Sequence, residues 1–192
     1  IGAAAQYIWY FAIALHIVLI VYFTIKFILK LDMTKVFASY YIVYVGIAVA
    51  AVTAPAYGQS GIGTATFWFG FVTLIALLIL VTVRYTKYKN VPEPAQPLFC
   101  IYAAPTSLCI AGYVQSVTPK SRTFLLAMLA VATVIYIIAL VKAIGYLKLK
   151  FYPSYAAFTF PFVISAIATK QTMACLAKME QPLPILKPVV LV

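Results

Sequence analysis

The chain has 192 residues, 66% of them hydrophobic and 9% charged, with a mean hydropathy of +1.06. A soluble domain carries about 25% charged residues, so this composition excludes a water-soluble globular protein and points to an integral membrane protein. The net charge of +11 comes from short basic clusters between apolar runs rather than from a contiguous stripe, which also excludes nucleic-acid binding.

Taken in chain order, the apolar runs long enough to cross a bilayer cover about 3–29, 36–57, 62–85, 98–114, 123–146 and 152–176. A seventh begins near 183 and is truncated. The whole of 1–192 reads as a single transmembrane domain, and its abrupt ends read as those of a segment of a longer protein. The links are short and rich in turn residues, as in Ala56-Tyr57-Gly58-Gln59-Ser60-Gly61 and Asn90-Val91-Pro92-Glu93-Pro94. Short links make consecutive helices antiparallel neighbours, that is, helical hairpins.

Basic residues set the expected orientation. Lys30 and Lys35, Arg84 with Lys87 and Lys89, and Lys148 with Lys150 mark the first, third and fifth links, while the second link has no basic residue. By the positive-inside rule the links at about 30–35, 86–96 and 147–151 are cytoplasmic, and residue 1 is extracytoplasmic. The expected location is a cell membrane, crossed several times.

The spans alternate in character. The third and fifth are rich in Leu, Ile and Val. The second, fourth and sixth repeat small residues every fourth position: Gly46, Ala50, Ala54; Ala103, Ser107, Ala111; Ala157, Pro161, Ser165, Thr169. That spacing places each set on one helix face, where small side chains either permit close approach or leave room for a pore. Pro105 and Pro161 lie within the fourth and sixth runs. A proline removes a backbone donor and clashes with the preceding turn, and such breaks survive at membrane depth only where protein or a wet cavity covers them. The expected arrangement is therefore inner, proline-kinked helices around a path, with greasy helices outside. Gly46, Ala50, Ala103, Ser107, Ala111, Ala157, Ser165 and Thr169 are the pore-lining candidates.

Little catalytic chemistry is available. Asp32, Glu93 and Glu180 all lie in links, and the single His16 reads as a packed or hydrogen-bonded helix residue. One histidine without a nearby acid does not make a catalytic constellation, so a membrane enzyme is a remote alternative. The absence of an intramembrane carboxylate disfavours cation coupling. Cys100, Cys109 and Cys175 have no metal-ligand spacing and read as small apolar residues. No metal and no cofactor is expected. Basic helix ends and exposed dipole ends suit small inorganic or organic anions. Among Phe158, Phe160 and Phe162, two-residue spacing keeps the rings off a common helix face, so one of them is free to occlude a narrow path.

The stretch Tyr102-Ala103-Ala104-Pro105-Thr106-Ser107-Leu108-Cys109-Ile110-Ala111-Gly112-Tyr113, with Ala156-Ala157-Phe158-Thr159-Phe160-Pro161, resembles the tellurite-resistance/dicarboxylate transporter (TDT) family, which includes the slow-type anion channels. The resemblance implies a ten-helix protomer of five hairpins around a central pore, assembled as a homotrimer. On that template the chain covers about helices four to ten, an incomplete protomer not expected to conduct alone. The resemblance implies that Phe160 is the pore gate and that Pro105 and Pro161 are the pore-helix kinks. In the second span Val43 stands where the family has proline, leaving a kink there to rest on Gly46. The implied function is an anion channel conducting passively. The alternative is an alternating-access exporter of C4-dicarboxylate (malate), sulfite or tellurite-related oxyanions.

Overall fold

The computed structural model describes residues 2–180. The apolar stretch from about residue 183, expected to begin a seventh span, lies outside the described residues. Within them are six helices long and apolar enough to cross a membrane, at Ala4–Ile28, Tyr40–Tyr57, Ser60–Lys87, Glu93–Ser116, Arg122–Tyr146 and Pro153–Lys178. The protein is an all-α membrane protein.

The first, third and fifth spans are built on long α-helices: α1 (Ala3–Phe23), α4 (Ser60–Lys87) and α6 (Arg122–Tyr146). The first closes with a π-turn over Thr24–Ile28. α6 starts at Ser121, whose hydroxyl accepts from the Phe124 N–H at 3.3 Å. These helices carry Leu, Ile and Val around most of their circumference, and many of those side chains face outward (Ile75, Ile79, Val134, Ile138, Val141).

The even-numbered spans are composite. The second runs α2 (Tyr40–Tyr44), a 3-10 turn (Val45–Ile47), α3 (Ala48–Thr53) and a second 3-10 turn (Ala54–Tyr57). It ends at Gly58, whose φ of +68° places it in the left-handed region that favours glycine. The fourth opens with an eleven-residue 3-10 helix (Glu93–Ala103) before α5 (Ala104–Ser116). The sixth opens with a 3-10 helix (Pro153–Phe158) before α7 (Phe160–Lys178). The fourth span thus begins upstream of its apolar run, because the Pro92-Glu93-Pro94 turn signal winds into helix.

Proline chemistry explains the change of winding. In an α-helix the Ile101 carbonyl would pair with the N–H of residue 105, which Pro105 lacks. The same carbonyl instead accepts from the Ala104 N–H, a three-residue step. Pro105 and Pro161 are each the second residue of an α segment, a position where the missing N–H costs little.

The fourth span is the packing centre. In its apolar window 78% of residues are buried, whereas in the first span only Trp9 and Ile20 are among the buried side chains of the described residues. Every residue from Ala103 to Tyr113 is buried. Gly112 lets this helix lie against the second span; a Cβ there would sit 3.0 Å from Ala51 Cβ and 3.4 Å from the Ala48 carbonyl. Gly70 gives the third span a similar approach to Ala48.

Two sets of polar contacts tie the helix ends. At one end Trp9 donates to Thr53 Oγ1 at 2.8 Å and stacks on Tyr57, while Thr64 donates to the Ser116 carbonyl at 2.8 Å. The other end gathers the first, third and fifth links. There Arg84, one of the basic residues that mark the third link, is 1% exposed. Its guanidinium donates to the carbonyls of Thr34 and Asn90, both at 3.2 Å, and of Tyr88, and it lies over the Phe37 ring. Tyr152 donates to Glu93 Oε1 at 2.7 Å, and Ser154 to the Pro94 carbonyl at 2.6 Å.

Candidate functional site: a cavity at the three helix breaks

A cavity of about 680 Å³ lies where the second, fourth and sixth spans change winding. From the second span it is lined by Tyr41, Ile42, Val45, Gly46 and Val49. The fourth contributes Leu98, Ile101, Ala104, Pro105 and Leu108, and the sixth Pro153, Ser154, Ala156, Ala157, Phe160 and Pro161. His16 reaches in from the first span. Among the described residues no lysine, arginine, aspartate or glutamate lines it.

The lining follows the local helix type. On the fourth span Leu98, Ile101 and Ala104 recur every third residue, the period at which 3-10 side chains eclipse; Ala104 and Leu108 then recur at the α period. On the sixth, Ser154, Ala157 and Phe160 recur every third residue through and just past the 3-10 segment.

This rule decides where the sequence candidates fall. Gly46, Ala157, Phe160, Pro105 and Pro161 line the large cavity. Ala103 and Ala111 do not; they are buried against neighbouring helices. Ala50 faces a separate space of about 200 Å³ between the first and second spans. Ser107, Ser165 and Thr169 border a third space of about 160 Å³ with Thr133, Tyr136 and Phe162. The four-residue stripe assumes one helical period throughout. The winding changes at each break, so the face that lines the cavity below it becomes, above it, a face for close contact.

The hydroxyls of that upper face are already engaged. Ser165 donates to the Pro161 carbonyl at 2.8 Å and Ser107 to the Ala103 carbonyl at 3.2 Å, and their oxygens are 3.1 Å apart. Thr169 donates to the Ser165 carbonyl at 2.9 Å. These are bonds back to carbonyls one turn earlier on the same span, and they give the hydroxyls partners in apolar surroundings.

The three phenylalanines diverge. Phe158 packs on Tyr155 with ring centroids 5.0 Å apart, and Phe162 meets Tyr136 edge-on at 5.5 Å. Phe160 has no aromatic partner among the described residues; it is 51% exposed and stands at the cavity wall.

Residues that the small-residue pattern does not single out are Tyr41, Leu98, Ile101, Ala104, Leu108 and His16. Three-residue spacing upstream of Pro105 is the sequence signal for the fourth-span set. His16 has no such signal: its Nε2 donates to the Val43 carbonyl at 2.8 Å, a contact between spans.

Around the mouth near Pro153 and Ser154, the Tyr152 phenol is raised above its ordinary range by its hydrogen bond to Glu93, so it remains the donor. In the first link Asp32 is held below the usual carboxylate range by hydrogen bonds from the Thr34 hydroxyl and N–H.

The family model for voltage-dependent anion channels, SLAC1, matches residues 1–187. No curated protein and no solved structure matches the chain. With the match covering nearly the whole sequence, on an all-α fold of six membrane-length helices, the chain belongs to the voltage-dependent anion channel family, a family of anion channels and transporters.

Proposed function

We propose that the protein conducts small anions passively across a cell membrane, through a path that includes the cavity at the three helix breaks and is occluded by the Phe160 ring. The observation that carries this reading is the placement of Phe160. Of three neighbouring phenylalanines it is the one without an aromatic partner, and it stands at the wall of a cavity lined by all three composite spans. The first turns of α5 and α7, where Pro105 and Pro161 sit, also border the cavity. With no charged side chain in the wall among the described residues, selectivity follows ion hydration and path width.

The basic links at one end of the bundle support a cytoplasmic placement of that end. The closed path is assigned to the complete ten-helix protomer, three of which assemble as a homotrimer, following the family resemblance.

The test is anion conductance of the full-length protein in liposomes or oocytes. Phe160→Ala raises conductance well above wild type at equal expression and assembly. Unchanged or lower conductance removes Phe160 as the gate. Saturating exchange at low turnover, without unitary currents, replaces the channel with an alternating-access carrier of oxyanions or dicarboxylates.

A further inference from the structure

His16 is the only histidine of the chain and belongs to a span that is otherwise turned outward. Its ring is nevertheless part of the wall of the 680 Å³ cavity and of the adjoining 200 Å³ space. Gly46, at the break of the second span, makes room for it: a Cβ on Gly46 would lie 3.2 Å from His16 Cε1. The Nε2–H is committed to the Val43 carbonyl at 2.8 Å. Nδ1 has no hydrogen-bond partner among the described residues.

We propose that His16 is a proton-operated selectivity residue for anions in this cavity. The proposal rests on the reading of the cavity as an anion path. In the neutral ring the one N–H is on Nε2, so Nδ1 presents a lone pair, which repels an anion. Protonation places a second N–H donor on Nδ1 and a unit positive charge in a wall that has no other among the described residues. Histidine is the side chain whose charge ordinarily changes across the physiological pH range. The groups around it do not compete for that role. Among the described residues no acid and no lysine or arginine lines either space, and the titratable side chains there are His16 and Tyr41. Tyr44, a turn away on the second span, is engaged with Thr24 at 2.7 Å.

The sign follows directly. The positive charge is present at low pH and lost as pH rises, so anion flux increases on acidification. The experiment uses the full-length protein in nanodiscs and planar bilayers with nitrate as the probe. From pH 8 to pH 5.5 the wild-type nitrate current rises about tenfold, the low end of what a single-sign field in a cleft produces. His16→Gln carries an amide donor for the Val43 carbonyl but never charges; its current stays flat across that range. A second readout needs no conduction: the imidazole signal of 15N-histidine-labelled protein, identified by its loss in His16→Gln, titrates at higher pH when nitrate is present. Linkage requires that shift if the anion prefers the protonated ring.

A pH-independent wild-type current, or a pH response that survives in His16→Gln, overturns the proposal and leaves the conduction reading intact. A nitrate-sensitive imidazole titration without current supports the site and overturns conduction. A titration indifferent to nitrate overturns the site even if current flows.

Discussion

The third and fourth spans solve the same crossing differently. The third is 28 residues of uninterrupted α-helix, with much of its surface facing outward. The fourth begins as a 3-10 helix, turns α at a proline, and buries every residue from Ala103 to Tyr113. An exposed helix in lipid has only its own backbone to satisfy its N–H and C=O groups, so it stays regular. A helix surrounded by protein can break, because a local change of winding or a neighbouring group takes up what the break releases, as the Ala104 N–H does for the Ile101 carbonyl. The second span shows that proline is not required. Its break at Val45–Ile47 has a glycine and an imidazole from another span on the Val43 carbonyl.

Substitutions that exchange these solutions test the comparison. The largest effect is expected from a proline in the regular helix: Ile75→Pro costs at least about 3 kcal/mol and more in lipid, and abolishes folded protein on size-exclusion chromatography. Its counterpart, Pro105→Ala, costs within about 1 kcal/mol, since the position is a first turn. Equal losses for the two would break the distinction. Next comes close approach. Gly112→Val costs about 1–3 kcal/mol by overpacking against Ala51 and the Ala48 carbonyl. Gly145→Val, with nothing within 4 Å of its Cβ, changes stability by less than about 0.5 kcal/mol in the same denaturation assay. The smallest effect is Ser165→Ala, which removes the bond to the Pro161 carbonyl and costs about 0.5–1.5 kcal/mol. A loss of anion flux in Ser165→Ala without loss of stability would move this hydroxyl from supporting the helix to contacting the ion.

Much of the fold is legible from hydropathy, since membrane spans are written in runs of apolar residues. The alternation of regular and composite spans is legible too, in the contrast of Leu74–Leu80 with Ala103–Gly112. The site is legible only near the breaks. Gly46, Pro105, Ala157, Phe160 and Pro161 line the cavity, whereas Ala103, Ala111 and Ser107 do not. A single helical period does not carry through segments that change period, and each change rotates the face. Two further features depend on distant partners and have no local pattern. The basic cluster at Arg84 hides a buried guanidinium bound by three carbonyls, and His16 acts on another span.

The 3-10 opening of the fourth span also changes its length. At about 2.0 Å per residue against about 1.5 Å in an α-helix, its 24 residues extend about 41 Å, nearly the same as the about 42 Å of the 28-residue third span. Fewer residues therefore match the same slab. Rewinding Glu93–Ala103 as α-helix would shorten the span by about 5 Å, so the choice of winding tunes this helix to the thickness of the membrane it crosses.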